Sequence, residues 1–412
     1  MTLSAEDILK MDYDDPLKEY KDKFHLPNGI IYMDGNSLGA MPKNTQDVIN
    51  NTVRNEWGDG LITSWLGADW VNSPQRVGGK IASLIGADPD EVTVCDSTSV
   101  NLFKTLTSAL QINSDRKTIL SESGNFPTDL YMMEGIKSFS HGAVENRIVD
   151  PDEILNALNE DIGVLLLTQV HYKTGLIRDM ADITQKAHEV GALVVWDLSH
   201  SAGSIPLDIN KSNADFAIGC GYKFLNGGPG APAFIFAARR HHSKCNPVLS
   251  GWFGHAKPFA FTDEYTPAKD VRMLLCGTPP ILGLKALEVG VDIFCDADMN
   301  QLRYKAKKLA STFIALLNDR CDQYGFKIIG PDNDDLRGGH VSICHENGYA
   351  IMQAIKDRGL IGDFRAPDVL RFGITPLYMT FQNIYDAVEI ISDVMRTEAW
   401  DNPAYMTQAE VT

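Results

Sequence analysis

Two residue types set the chemistry of this chain: the amine of Lys223, in GYKFLNGGPG, and the carboxylate of Asp197, in VVWDLSHSAG. A lysine between a tyrosine and a run of glycines is either a solvated surface residue or a nucleophile able to form a Schiff base with a carbonyl. An aspartate closing an apolar run is costly to bury without a cationic partner. Pyridoxal phosphate (PLP) needs both groups: an amine for its aldehyde, and an aspartate to keep its ring nitrogen protonated so that the ring withdraws electrons. A structural Asp197–Lys223 salt bridge is the competing reading.

The cofactor's phosphate must be captured locally, because the formal net charge is −17. DSTSVNLFKTLTSAL puts Thr98 and Ser99 at the start of a helical pattern, where free amides favour an anion or the hydroxyls merely cap the helix. Tyr222 and Trp252, in SGWFGH, are further donors of suitable type and equally plain core aromatics. NFPTD offers Phe126 as a ring to stack on a planar cofactor, followed by Pro127, Thr128 and Asp129. His200, one turn past Asp197, either orients that carboxylate, covers the ring or is a structural histidine.

Strands must bring these residues together. EVTVCD, KTILSES, IGVLLLTQV, ALVVWD, ADFAIGC and APAFIFA are short apolar runs alternating with helical patterns. Unbroken apolar strands are buried on both faces, which predicts an α/β domain with a mainly parallel sheet between helices. Ligands collect at the carboxyl ends of such strands. The polar candidates fall there, Thr168 in TQVHYKTG among them. Past about residue 285, a long amphipathic helix and the runs FKIIG, GHVSICH and VLRFGIT predict a smaller α+β domain. The expected division is an N-terminal arm over 1–45, a large domain over 46–284 and a small C-terminal domain over 285–412.

Among 412 residues, 44% are hydrophobic and 22% charged, as in an ordinary globular protein. The acidic balance argues against nucleic acid or an anionic membrane as partner. Seven dispersed cysteines read as reduced thiols, and no metal-binding spacing occurs. No signal peptide or membrane-length apolar run is present, so a cytoplasmic location is expected.

Taken together, IYMDGNSLGAMP, EWGDGLITSW, NFPTDLY, WDLSHSAG, GYKFLNGGPG, LSGWFGH, CGTPPI and RFGITPLY resemble the kynureninase family, its bacterial branch most closely. That family is a branch of the fold-type I PLP enzymes, in the class V aminotransferase superfamily, and the likeness runs through nearly the whole chain. It implies a PLP-dependent transferase fold of type I with a seven-stranded type of sheet. The resemblance makes Lys223 the Schiff-base lysine, Asp197 the partner of the pyridine nitrogen and Phe126 the stacking ring. Thr98, Ser99, Tyr222 and Trp252 fall in the phosphate and cofactor shell, with Pro127, Thr128, Asp129, Thr168 and His200 alongside. Thr278 matches a position that reaches the site from a neighbouring subunit, implying a homodimer with shared sites. Arg371 matches the arginine that grips the substrate α-carboxylate, while Asn36 and Ser37 line the substrate side. Trp65 and Thr278 stand where members favouring 3-hydroxykynurenine carry histidine and asparagine.

The implied reaction is hydrolysis of L-kynurenine to anthranilate and L-alanine, a step of tryptophan breakdown, with weaker action on 3-hydroxykynurenine. Tyr222 is the candidate proton donor. The alternatives are a cysteine desulfurase, for which Cys344 in SICHENG is the only weak nucleophile candidate, and a non-catalytic PLP-binding sensor.

Overall fold

In the computed structural model, which describes residues 3–407, the apolar runs form one seven-stranded sheet. Its strands are β1 (Val92–Val94), β2 (Thr118–Glu122), β3 (Glu145–Val149), β4 (Ile162–Thr168), β5 (Leu193–Asp197), β6 (Phe216–Gly219) and β7 (Phe234–Ala237). Their order across the sheet is β1-β7-β6-β5-β4-β2-β3. Only β7 runs antiparallel to its neighbours.

The central strands are apolar on both faces because each face meets its own core. In β4, Leu165 and Leu167 join one buried cluster, while Val164 and Leu166 join the other. This alternation is the period-two geometry of a strand, and helices over both faces make both sets apolar. β3, with sequence ENRIV, was not among the expected strands: it is the polar, partly exposed edge beside β2.

A second, antiparallel sheet contains β8 (Lys327–Ile329), β9 (His340–Cys344), β10 (Asp363–Arg365) and β11 (Val369–Gly373), ordered β8-β9-β11-β10. Helices Met299–Cys321 and Phe381–Arg396 pack together beside it. In the latter, Ile384, Ala387, Val388, Ile391, Val394 and Met395 form the buried stripe of an amphipathic helix.

The N-terminal segment is tied to this second sheet's side. Asp12 accepts hydrogen bonds from the amides of Phe381 (2.7 Å) and Gln382 (2.9 Å), neutralising the N-terminus of that helix with a carboxylate. Ile31–Tyr32 also pairs in parallel with Leu360–Ile361. The chain then passes the large sheet, where Gly39 donates to the carbonyl of Tyr222 at 2.8 Å. A Cβ on Gly39 would lie 2.2 Å from the Lys223 carbonyl oxygen, so this crossing needs glycine. Among the described residues, no helix is long and apolar enough to cross a membrane.

Candidate active site

Parallel register places Thr168 beside Asp197, and Asp197 beside Ile218, at the carboxyl ends of β4, β5 and β6. A cavity of about 640 Å³ opens above them. Its wall includes Thr98 and Ser99, then Phe126, Thr128 and Asp129, then Thr168, Asp197 and His200. Tyr222, Lys223 and this chain's own Thr278 complete the set of sequence candidates on that wall.

The helix Thr98–Ile112 begins here because Ser97 is extended and its hydroxyl accepts from the amide of Val100 at 3.4 Å. The amides of the first turn have no intrahelical acceptor and face the cavity end of the helix dipole. The next helix, Pro127–Phe139, starts with proline at its first position, which suits Pro127's fixed φ; its side chain is not on the cavity wall. Asn125 braces Phe126: its Oδ1 accepts from the Phe126 amide at 2.7 Å and from the Thr168 hydroxyl, while its Nδ2 donates to Ser121 at 3.1 Å.

Lys223 is buried, with Nζ 3.1 Å from His200 Nε2 and 5.6 Å from the centre of the Phe126 ring. The glycines after it shape the turn: Gly228 and Gly230 have φ of 83° and 74°, and a Cβ on Gly227 would lie 2.7 Å from the Gly221 carbonyl oxygen. Left-handed backbone and close approach both favour glycine there.

Two buried carboxylates share the lysine's surroundings. Asp197 accepts from the Ser199 amide at 2.7 Å, and Asp129 keeps one oxygen, Oδ2, without a protein partner. Burial raises the Asp197 carboxyl, opposed by the charge of Lys223. Burial also pushes Asp129 well upward, and the like charge of Asp197 adds to it. Burial holds the Tyr222 phenol in its protonated form, reinforced by Cys220 and Asp197.

Arg371 lies off the cavity wall and is fully engaged. Its Nε donates to Asp363 Oδ1 (2.7 Å), Nη1 to the Tyr172 carbonyl (2.6 Å), and Nη2 to Ser37 Oγ (3.1 Å) and Asp363 Oδ2. Arg365 shares the same carboxylate, with Nη2 2.8 Å from Asp363 Oδ2, and Ser37 donates to that oxygen at 2.6 Å. Burial alone would raise Asp363, but Arg371 and then Arg365 outweigh it and hold the carboxyl at about 2. Asn36 is buried against Gly373 with neither amide atom paired. Asn36 and Ser37 thus stand beside the arginine group rather than on the cavity wall.

Trp65 and Trp252 also lie off that wall. Their rings are 6.4 Å apart and join Phe253 and Phe259 in an aromatic cluster. Sequence reasoning missed Asn125, Asp363, Arg365 and His340. Asn125 stood within GNFPTD, next to a residue already singled out. The signal for Asp363 was its strand register, directly opposite Arg371.

An amine, a buried carboxylate, an aromatic wall and a helix N-terminus converge on a cavity of cofactor size. This donor set fits PLP, whose aldehyde, ring nitrogen, ring face and phosphate require one of each. Among the described residues, no cluster suited to a metal ion occurs.

A family model described as the kynureninase C-terminal domain matches residues 302–391. Kynureninase of Burkholderia mallei (strain SAVP1) is 44% identical over 99% of this chain and all of its own length. Kynureninase of Pseudomonas fluorescens is 43% identical with the same coverage. Among solved structures, the cysteine desulfurase of Thermococcus onnurineus NA1 superposes with a TM-score of 0.75 at 18% identity, covering 96% of this chain and 99% of that one. A C-DES mutant with glycine covalently linked to its PLP cofactor gives a TM-score of 0.78 at 16% identity, covering 90% and 99%. At such identities the structural likeness concerns the fold alone, which is the expected type I fold.

Proposed function

This chain belongs to the kynureninase family, and from that premise we propose that it hydrolyses L-kynurenine to anthranilate and L-alanine with PLP in the cavity described above. The observation that carries the site assignment is the buried amine of Lys223, 5.6 Å from the Phe126 ring centre on a wall shared with Asp197. PLP, when bound, supplies an electron-withdrawing ring that stabilises negative charge at the α-carbon of an attached amino acid.

This chain's residues do the rest. Lys223 would hold the cofactor's aldehyde carbon and, once the substrate's amine had displaced it there, its freed amine would take the proton from the substrate's Cα. Asp197 holds the protonated ring nitrogen, a role that favours its ionised form once the cation arrives. The first-turn amides of Thr98 and Ser99 hold the phosphate, with Tyr222 beside them, and Phe126 covers the ring face. Tyr222, kept protonated, has a hydroxyl proton to give to the leaving carbon framework. Across the reaction, water's oxygen ends on the anthranilate carboxylate and the alanine Cβ gains a proton. Arg371 receives the substrate's α-carboxylate.

We further propose a homodimer with shared sites. Trp57, Leu61, Ile62, Leu66 and Phe261 are exposed on segments flanking the Trp65–Trp252 cluster, Leu66 at 81% and Phe261 at 76%. Large apolar side chains so placed suit burial against a second copy. On this proposal Trp65 and Trp252, off their own chain's cavity wall, face the neighbour's site, and Thr278, which lines its own chain's cavity, also reaches across. The division into an arm and two domains, and a cytoplasmic location, belong to the same proposal. The separate second sheet supports the former; seven free cysteines support the latter.

The deciding experiment offers PLP-loaded protein kynurenine, 3-hydroxykynurenine and cysteine, reading anthranilate fluorescence against sulfide release. Anthranilate from kynurenine without sulfide is expected. Sulfide alone would overturn the reading in favour of desulfuration. Against that outcome, Cys344 ends β9 and points its thiol to the Lys327 carbonyl, 3.6 Å away.

A further inference from the structure

Behind Lys223 lies a second imidazole that the reaction above does not use. His340, on β9, is fully buried, and neither ring nitrogen has a protein partner. Its ring centre is 5.8 Å from that of His200, inclined at 60°. His200 offers Nε2 to Lys223 Nζ at 3.1 Å, while its Nδ1 is also unpartnered. Buried polar atoms are nearly always paired, and each one left bare costs about 1–3 kcal/mol. Three bare nitrogens on two neighbouring rings therefore call for a shared arrangement.

One arrangement accounts for these bare nitrogens. Burial, then the cations Lys223 and Arg371, pushes His200 well below its ordinary range. Burial and Arg371 bring His340 down to about 3, opposed by Asp363. Both rings are neutral at working pH, and a neutral imidazole has one N–H and one acceptor nitrogen. A protonated Lys223 nitrogen, free or joined to an aldehyde carbon, has only protons to give; facing one, His200 Nε2 is the acceptor and Nδ1 carries the hydrogen. That Nδ1–H has no protein acceptor within bonding distance, and the neighbouring His340 ring has a lone pair to offer it through one water. Asn36 Oδ1, also without a partner, lies against Gly373, the residue paired with His340 across the sheet.

We propose that His340 is a positioning residue acting through His200: by accepting from His200 Nδ1–H through one water it keeps Nε2 as a hydrogen-bond acceptor facing Lys223. The consequence rests on Lys223 being the reacting amine. An acceptor held on one side of Nζ fixes the direction in which the amine presents its protons and lone pair. Losing that direction slows proton transfer without weakening substrate binding.

The test reads the tautomer itself. Full-length PLP-loaded protein labelled with ¹⁵N-histidine is examined by NMR, with His200 assigned through H200N. We expect His200 to show a protonated Nδ1 and a bare Nε2. In H340F, which keeps the ring's bulk but no nitrogen, the second tautomer appears, and kcat falls about ten-fold while KM stays within about two-fold. H340Q, which restores a polar acceptor, recovers both the tautomer and most of kcat. A protonated Nε2 in the unmodified protein overturns the proposal, and this arm needs no variant to fold. Unchanged tautomer and kcat in H340F overturn it as well. Because the tautomer is read without kynurenine, its result stands apart from the substrate assignment: the expected NMR pattern with no kynurenine turnover would sink the proposed function alone.

Discussion

Replacing Asp363 with asparagine tests how the buried arginine group is neutralised. Asp363 and Arg371 are both buried, and the carboxylate accepts from two guanidinium nitrogens. Deleting one charge of a buried pair leaves the other uncompensated and costs about 3–5 kcal/mol. The titration of Asp363 gives a second, lower figure. Its carboxyl falls from 3.8 to about 2 on folding, a gap worth about 2 kcal/mol. Because the folded value is depressed, this stability is present above pH 4 or so and is lost as pH falls through about 2. The variant costs more than protonation, since an amide also turns N–H groups toward the guanidinium. Asp34 offsets part of the loss: burial and then Asp363 push its carboxyl up to about 7, so removing Asp363 lets it ionise nearby. The expected net loss is about 3 kcal/mol, roughly a third of a typical stability.

Urea unfolding followed by tryptophan fluorescence and circular dichroism measures this loss. If Arg371 is the carboxylate receptor, the product L-alanine should raise the D363N midpoint more than the parent's, because its carboxylate replaces the missing partner. A D363N midpoint equal to the parent's without alanine would refute the claim that Asp363 neutralises Arg371.

Lys223→Ala should abolish turnover, and borohydride should no longer fix the cofactor to the chain, as read by intact mass. Asp197→Asn should keep its circular dichroism spectrum yet lose about 100-fold or more in kcat, because an amide cannot stabilise the ring's positive charge. Kynurenine should be preferred over its 3-hydroxy analogue by about one to two orders of magnitude in kcat/KM, since an unpaired phenolic hydroxyl costs roughly 1–3 kcal/mol. A Trp65→His/Thr278→Asn double variant should narrow that gap, and an unchanged ratio of specificity constants would remove both residues from the argument.

What the sequence disclosed follows from how its information is laid out. Lys223, Asp197, Thr168, Phe126 and the Thr98–Ser99 turn each stand at a strand end or helix start, and the wound sheet gathers such ends at one edge. Local pattern therefore sufficed to bring them to one wall. The edge strand β3 escaped because its pattern is polar, and polarity is what an unprotected edge requires. His340 escaped for another reason. GHVSICH reads as a buried strand, and nothing local shows that its histidine comes to lie behind a lysine from the other sheet.

Arg371 shows where residue type and structural state diverge. The resemblance made Arg371 a substrate-carboxylate receptor, and a buried guanidinium does need an anion to repay its burial. The register of β10 against β11 supplies that anion from within the chain, as Asp363. A substrate carboxylate must then share or displace contacts that Asp363, Ser37 and the Tyr172 carbonyl already make. Tyr172 also packs edge-on against Phe126 at 5.2 Å, so its movement is felt at the cofactor wall. Arg365, with its side chain 34% exposed and tied to the same Asp363 oxygen, is the second cation that would hold Asp363 if a bound carboxylate drew Arg371 away. Carboxylate binding and the integrity of this small-sheet corner are therefore one equilibrium, which is why D363N is expected to register in urea and in alanine binding together.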